Sequence, residues 1–138
     1  MSKPVLYLAT PYSHPDPAVR QERYERVTQA AARLIGLGHI VHSPITLTHP
    51  LELAGGIVRP AEFWLEFDLP FMQMCAELVI LTLAGWKESH GIAYEKRMFE
   101  SMGRPVSYLV PGYEDQRFSE LGLNVELRKR GLGLATTE

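Results

Sequence analysis

The run ELVILTL at residues 77–83 constrains the fold more tightly than any other part of the chain. Its apolar residues follow one another without the alternation that a strand with one solvated face would show. Such continuous runs are typical of parallel strands that are covered on both faces. Parallel strands need a crossover connection between them, which is usually a helix. The chain is therefore expected to alternate strands with helices.

Three more runs have this strand-forming character, which gives predicted strands at residues 5–10, 39–45, 77–83 and 105–111. Helical patterns between them begin at Asp16-Pro17, at Pro60 and near Ser89, where an N-cap residue or an early proline favours a helix start. The first helix should end at Gly36 to Gly38 and the last at Met102-Gly103.

Three segments are harder to assign from local pattern. Residues 46–60, TLTHPLELAGGIVRP, are interpreted as a long irregular connection. The helix that follows Pro60 contains Phe63, Trp64 and Phe67 and should kink or restart at Pro70. A last helix is predicted around residues 118–129, before an end that frays.

This alternation predicts an α/β fold, a flavodoxin-like or Rossmann-like three-layer sandwich with a mainly parallel sheet of four to five strands. Right-handed crossovers favour the strand order 2-1-3-4, and a length of 138 residues fits one domain, residues 1–138. In that order, ligands bind at the carboxyl ends of the first and third strands. Two loops leave this point, TPYSHPD at 10–16 and AGWKESHG at 84–91.

Composition and short motifs exclude several classes of function. A net charge of −2 gives no general attraction to nucleic acid or anionic membranes, and the apolar runs are too short to span a bilayer. The N-terminus lacks a signal-peptide pattern, and the single cysteine, Cys75, has no partner for an intrachain disulfide, so we expect a cytoplasmic protein. The spacing of His39, His42 and His49 predicts no metal site, and no glycine motif for a nucleotide triphosphate or dinucleotide is present.

A carboxylate interrupts the apolar face of the helix that begins near Ser89. Ile92 and Phe99 recur at helical spacing, and Glu95 occupies a position within that stripe. Its side chain should lean back over Gly91, whose lack of a side chain leaves room for a ligand. Ser89 and the free N–H groups of the first turn offer an anion site. The alternative is a Glu95 that is solvated at the rim of the helix.

Other candidates lie close to the same predicted cleft. Asp68 would either cap a helix that restarts at Pro70 or provide a second carboxylate beside Glu95. Glycosidic cleavage commonly divides the roles of acid and nucleophile between two such groups. Tyr7 lies within the first strand, where most tyrosines are core residues. Surface solvation is the alternative for the two arginines among the substrate-binding candidates, which are Thr10, Tyr12, Arg20, Arg23, Trp86, Ser89 and Gly91.

Four pieces of the chain together resemble the nucleoside 2-deoxyribosyltransferase-like superfamily, which includes the deoxynucleoside 5′-monophosphate N-glycosidases. They are LYLAT in the first strand, GHIVHSPI at the second, FDL before the third, and SHGIAYE after it, and they are spread over residues 5 to 110. Within the superfamily, the chain looks closest to a small bacterial and phage group of unassigned function.

The resemblance implies roles for individual residues. Glu95 matches the nucleophile that attacks the anomeric carbon, Tyr7 matches the tyrosine that orients it, and Asp68 matches the aspartate that protonates the departing base or holds the sugar. Ser89 matches a serine of the phosphate site. Members of the superfamily need no metal or organic cofactor and are typically homo-oligomers in which a neighbouring subunit completes the pocket. Asn124 is the one weak candidate for such a donated residue.

One departure concerns the first loop, TPYSHPD, which has two prolines and no glycine where the family often has a glycine-rich phosphate-binding run. This leaves open whether a 5′-phosphate is required. The expected function is hydrolysis or transfer at the N-glycosidic bond of a nucleoside or nucleoside 5′-monophosphate, in a homodimer or larger symmetric oligomer. The alternatives are a non-catalytic nucleotide or ADP-ribose-like ligand sensor, which a Glu95 paired with Lys87 or Lys96 would favour, and a structural subunit that associates through FWLEF at 63–67.

Overall fold

Four parallel strands form the centre of the computed structural model, which describes residues 3–56 and 59–115. They are β1 (Val5–Ala9), β2 (Ile40–His42), β3 (Glu77–Leu81) and β4 (Val106–Leu109). Their order in the sheet is β2-β1-β3-β4, and all three pairings are parallel. The predicted fold class and the predicted 2-1-3-4 order are therefore confirmed, with four strands in the part of the chain that the structure describes.

Helices follow the strands as the alternation requires, and two of them, the first and the last, begin at a residue whose side chain caps the helix. Asp16 caps the first of them, because its side chain accepts a hydrogen bond from the backbone N–H of Ala18. A short 3₁₀ turn at Trp86–Glu88 precedes the last. The helices are α1 (Pro17–Gly36), α2 (Pro44–Gly55), α3 (Ala61–Met74) and α4 (His90–Ser101).

Both faces of the sheet are covered, which explains the continuous apolar run of β3. Successive side chains of a strand point to opposite faces. On one face α1 packs against β1 and β3 in a cluster that includes Leu6, Leu8, Val27, Leu34, Val79 and Leu81. On the other face the end of α3 and the inner side of α4 pack in a cluster that includes Tyr7, Met72, Leu78, Ile80, Ile92 and Phe99.

The interpretation of residues 46–60 as an irregular connection is wrong, because α2 occupies Pro44–Gly55. Pro44 takes the first position of this helix, where its missing N–H costs nothing, and it also shortens the predicted strand 39–45 to Ile40–His42. Packing against α1 supports the helix despite the internal Pro50, and the Thr28 and Thr46 hydroxyls hydrogen-bond across that contact at 2.8 Å.

The predicted break at Pro70 is also wrong, because α3 continues through it to Met74. Asp68 therefore lies in the middle of a helix, and the interpretation of Asp68 as an N-cap fails with the break. Pro70 has no backbone N–H and so cannot make its helical hydrogen bond, but tertiary contacts offset this loss. Met72 is fully buried, and Arg104 donates to the carbonyls of Met72, Gln73 and Cys75 at the helix end.

The helix predicted at residues 118–129 and the candidate Asn124 lie outside the described residues. Within the described part of the chain, no helix combines the length and the apolar character that crossing a membrane would need.

Candidate active site

A cavity of about 590 Å³ opens at the carboxyl ends of β1 and β3, where the strand order predicts a ligand site. The loops after these two strands form one side of it, and α2 and α3 form the other. Most of the residues that the sequence nominated lie on its wall, namely Thr10, Tyr12, Arg20, Arg23, Asp68, Ser89, Gly91 and Glu95.

Glu95 lies on the inner side of α4, where only 7% of its surface is exposed. The Tyr7 hydroxyl donates a hydrogen bond of 2.8 Å to its Oε2 atom. Tyr7 itself is fully buried in β1, behind the cavity wall, so its one polar atom is committed to Glu95. The alternative of a solvated Glu95 is therefore wrong: the carboxyl is buried within the apolar stripe and reaches the cavity.

Burial changes the protonation of the Glu95 carboxyl. Desolvation is the main cause of a rise in its pKa from 4.5 to about 8; the hydrogen bond from Tyr7 opposes the rise, and the charge of Asp68 adds to it. Burial and the two neighbouring carboxylates likewise raise the pKa of the Tyr7 hydroxyl, which therefore acts as a donor. The result is a carboxyl that binds a proton far more readily than one in water.

Asp68 faces the same cavity from α3 and is also buried, with 7% of its surface exposed. Desolvation raises its pKa to about 7. Its Oδ1 atom is buried without a hydrogen-bond partner among the described residues. A buried polar oxygen without a donor is costly, so Asp68 is suited to holding a proton or to contacting a ligand. The two carboxyls thus provide one acid and one potential anion near neutral pH.

The start of α4 forms the part of the wall next to Glu95. Ser89 caps this helix, since its Oγ atom accepts a hydrogen bond of 3.1 Å from the backbone N–H of Ile92. Its hydroxyl hydrogen remains available to a ligand, together with the unpaired N–H groups of the first turn. A methyl group at Gly91 would make only ordinary contact with the protein, 3.8 Å from Ser89 Oγ. Packing within the protein therefore does not require a glycine at this position, and the absence of a side chain leaves open space in the cavity.

Two of the arginines on the wall, Arg20 and Arg23, already hold the loops in place. Arg23 donates to the carbonyls of Ser13 and Ala84, both at 3.2 Å, and so ties the loop after β1 to the loop after β3. Gly85 is required there, because its φ of 93° lies in the left-handed region and a Cβ would stand 2.6 Å from Arg23 Nη2. Arg20 donates to the carbonyl of His14. Neither arginine has all its donors available for a phosphate.

Trp86, which the sequence suggested as a substrate-binding residue, is not among the residues that line the cavity. Its ring packs against Tyr108 with centroids 5.5 Å apart, at the edge of both core clusters. The residue is apolar and follows a strand, features that a binding aromatic and a packing aromatic share, so sequence could not separate the two.

Sequence reasoning missed the opposite wall, which α2 and the start of α3 provide. Pro44, Thr48 and Glu52 face the cavity at a spacing of four residues, and this periodicity was the available signal. Glu52 Oε2 accepts hydrogen bonds from Trp64 Nε1 at 2.7 Å and from the backbone N–H of Arg59 at 3.0 Å. Among the described residues, no group of three or more histidine, cysteine, aspartate or glutamate side chains is arranged to hold a metal ion.

The burial of Glu95 predicts a fold that loses stability as pH rises. The carboxyl titrates near 4.5 in the unfolded chain and near 8 in the folded protein. Between these values the folded state binds more protons, so the free energy of unfolding should fall with rising pH, by up to about 1.4 kcal/mol per pH unit. Urea denaturation at pH 5 and at pH 8.5 measures this difference.

Glu95→Gln should remove the larger part of the decrease. The remainder should reflect Asp68, whose pKa is also raised, against an opposite contribution from His42 and His49, whose pKa values burial lowers. Glu100→Gln, which changes an exposed carboxyl on the same helix, is the matched control and should retain the full decrease. Equal pH dependence in the wild-type and Glu95→Gln proteins would contradict the raised pKa of Glu95.

Comparison with known proteins identifies the chain at the level of a family. A family model described as "Domain of unknown function (DUF1937)" matches residues 4–110, a range that contains all four strands and all the cavity residues named above. Among curated proteins, no sequence matches this chain. Because the family model covers well over half of the 138 residues, the chain belongs to the DUF1937 family.

Proposed function

We propose that this protein cleaves the N-glycosidic bond of a nucleoside or nucleoside 5′-monophosphate, with Glu95 as the nucleophile. The observation that carries the proposal is the buried Glu95 carboxyl, held by Tyr7 at the wall of a cavity that a second buried carboxyl, Asp68, also faces. Two carboxyl groups with different surroundings are what glycosidic cleavage uses. The resemblance to the nucleoside 2-deoxyribosyltransferase-like superfamily supports the same assignment.

The surroundings of the two carboxyls favour one distribution of charge and proton. The hydrogen bond from Tyr7 stabilises an anion on Glu95. Asp68 has an oxygen without a donor, so a negative charge there is less well supported. The positive charge that develops at the anomeric carbon further favours an anionic Glu95. In the free protein Glu95 has the higher pKa and binds a proton more readily than Asp68. The reaction requires the reverse distribution in the reacting complex, with an anionic Glu95 and the proton on Asp68.

The reaction then follows in two steps. Glu95 attacks the anomeric carbon and forms a covalent sugar ester, while the bond to the base breaks and Asp68 gives its proton to the departing nitrogen. In the second step, water attacks the same carbon, Asp68 takes one of its protons, and Glu95 leaves as a carboxylate. A second base in place of water gives transfer instead of hydrolysis. Tyr7 acts throughout as a positioning residue for Glu95.

The rest of the cavity is consistent with a nucleotide-sized ligand. Its volume of about 590 Å³ lies within the usual range for small-molecule sites. The start of α4 with Ser89 offers N–H and O–H donors to a phosphate, and the arginines add positive charge nearby. A ligand sensor on the same fold would need no ionised Glu95, and the experiment below separates the two functions.

Glu95→Gln should reduce release of free base by about a thousandfold or more, because the amide preserves the shape of the side chain but cannot act as the nucleophile. The measurement is chromatographic detection of free base after incubation with a panel of nucleosides and nucleoside 5′-monophosphates. Glu100→Gln is again the control and should keep wild-type activity.

Base release by Glu95→Gln at a rate close to that of the wild type would exclude Glu95 as the nucleophile. Ligand binding without base release by the wild-type protein would favour the sensor.

Gly91→Ala should raise stability and lower activity. Alanine is favoured over glycine in a helix interior by about 1 kcal/mol, and Gly91, in the first turn of α4, should gain part of this. The added methyl group would meet only ordinary contacts in the protein. The methyl group would take cavity space beside Glu95, so affinity for the ligand should fall. Gly55→Ala in α2 is the control, since Gly55 has open space around it and lies off the cavity wall. Unchanged activity in Gly91→Ala would contradict the assigned role of Gly91.

We also propose that the chain forms a homodimer or a larger symmetric oligomer in the cytoplasm. Phe63 and Phe67 on α3 are 40% and 37% exposed, and both contact the half-buried Trp64 edge to face. Exposed aromatic clusters often mark protein contacts. The buried free thiol of Cys75 fits a reducing compartment.

Light scattering should give a multiple of 15.6 kDa for the wild-type protein, and Phe67→Glu should shift the mass toward a single chain. A wild-type mass of one chain at micromolar concentration would contradict the oligomer. The third interpretation, a structural subunit, would be favoured by an oligomer that binds none of the nucleosides or nucleotides.

A further inference from the structure

His49 has no part in the reaction proposed above, yet it is buried and its ring nitrogens and its face all have contacts. Its ring stacks on Tyr24 with centroids 4.4 Å apart. Nδ1 lies 2.6 Å from the Tyr12 hydroxyl and Nε2 lies 2.9 Å from Gln21 Oε1. Gln21 in turn donates from Nε2 to Glu25 at 3.0 Å. These contacts form a continuous chain of hydrogen bonds from exposed Glu25 to Tyr12 on the cavity wall.

Glu25, at the solvent-exposed end of these hydrogen bonds, determines which group donates in each of them. A carboxylate only accepts hydrogen bonds, so the amide nitrogen of Gln21 must face Glu25 and its oxygen must face His49. That oxygen also only accepts, so His49 carries its hydrogen on Nε2. A neutral imidazole with hydrogen on Nε2 has a bare Nδ1, which accepts the hydrogen of the Tyr12 hydroxyl.

The surroundings of His49 support the neutral ring. Burial lowers its pKa, Glu52 and Glu25 act in the opposite direction, and Arg20 acts in the same direction as burial. The lowered pKa means that the ring is neutral at and above neutral pH, as the direction of the chain requires.

At the inner end of these hydrogen bonds, Tyr12 has charged neighbours on the cavity wall. Burial and the charge of Glu52 raise the pKa of the Tyr12 hydroxyl, and the nearby Arg20 lowers it. A guanidinium group only donates hydrogen bonds. Arg20 therefore cannot accept the Tyr12 hydrogen, which agrees with that hydrogen pointing to His49. Glu52, another acceptor, lies on the same wall and acts on Tyr12 electrostatically.

We propose that His49 is a positioning residue that makes the Tyr12 hydroxyl a hydrogen-bond acceptor toward the cavity, so that this wall selects a hydroxyl or amino donor of the ligand. A ligand carbonyl or phosphate oxygen at this position would face the lone pairs of Tyr12 and be disfavoured. The ligand class rests on the proposed function, whereas the direction of the Tyr12 hydroxyl does not. The donor belongs either to the sugar or to the base, and the experiment distinguishes them.

The first measurement needs no ligand. Long-range proton–nitrogen NMR spectra of histidine-labelled protein report which ring nitrogen carries hydrogen, and the His49 signals are assigned by their loss in His49→Phe. At pH 7.5 we expect a neutral His49 with hydrogen on Nε2. A hydrogen on Nδ1, or on both nitrogens, would overturn the proposal.

The second measurement is binding by calorimetry to the Glu95→Gln protein, in which binding is separated from turnover. The probes are adenosine 5′-monophosphate, inosine 5′-monophosphate and the 2′-deoxy form of each. Tyr12→Phe removes the hydroxyl, and His49→Phe keeps the stack on Tyr24 but removes the acceptor for the hydroxyl hydrogen. Each should weaken binding of the preferred probe by about tenfold, the usual effect of one buried hydrogen bond.

Two further variants separate positioning from a merely structural effect. His49→Asn places an amide oxygen near the position of Nδ1 and should restore most of the affinity. In a Tyr12→Phe background, His49→Phe should have no further effect, because it acts only through the Tyr12 hydroxyl. Additive losses, or an Asn variant that folds but binds as weakly as His49→Phe, would overturn the proposal.

The pattern among probes identifies the donor. A loss confined to the adenosine probes assigns it to the exocyclic amino group, and a loss confined to the ribose probes assigns it to the 2′-hydroxyl. If none of the four probes binds, the proposed function loses its ligand class, while the NMR measurement still decides how His49 sets the Tyr12 hydroxyl.

Discussion

The hydrogen bond between Tyr7 and Glu95 is the interaction on which the site depends. It joins the central strand β1 to α4 through a carboxyl group that burial would otherwise penalise strongly. Tyr7 can make this bond because its position on β1 points toward the face that α4 covers, with its ring in contact with Phe99. The bond holds Glu95 in one orientation and keeps its carboxyl directed to the cavity.

The remaining parts of the cavity follow from how the chain crosses the sheet. The chain leaves the edge strand β2 and returns to the central strand β3, and this crossover contains both α2 and α3. One crossover therefore builds the wall opposite the loops and carries Asp68 to the neighbourhood of Glu95. Arg23 then ties the two loops together through carbonyl groups of the backbone. The cavity is defined by connections between elements rather than by one loop.

Two tyrosines have opposite hydrogen-bonding roles within this arrangement. Tyr7 gives its hydrogen to a carboxyl group of the cavity. In the direction proposed above, Tyr12 gives its hydrogen away from the cavity to His49, which lies 2.6 Å away. The difference comes from what lies behind each ring: an apolar core behind Tyr7, and a chain of polar groups from α1 behind Tyr12. Hydrogen bonds that fix the two hydroxyl groups in advance reduce the reorganisation needed when a ligand binds, which is the general advantage of a preorganised site.

Local pattern in the sequence was enough to predict the four parallel strands and their order, because strand and helix periodicities report which face is covered. It placed Glu95 within the apolar stripe of its helix but left open whether the carboxyl is buried or solvated. Prediction from local pattern failed where a proline was expected to end or exclude a helix but tertiary contacts stabilise the helix around it. Pro50 and Pro70 lie inside helices that packing against α1 and the bonds from Arg104 stabilise.

Because α2 was not predicted, the role of His49 on that helix was not predicted either. Its partners Tyr12 and Gln21 lie 37 and 28 residues away in the sequence. The sequence alone thus determined the layers of the fold and the position of an acid within an apolar stripe. The tertiary structure decided which walls enclose that acid and how each hydroxyl is directed, because those depend on contacts between residues distant in the chain.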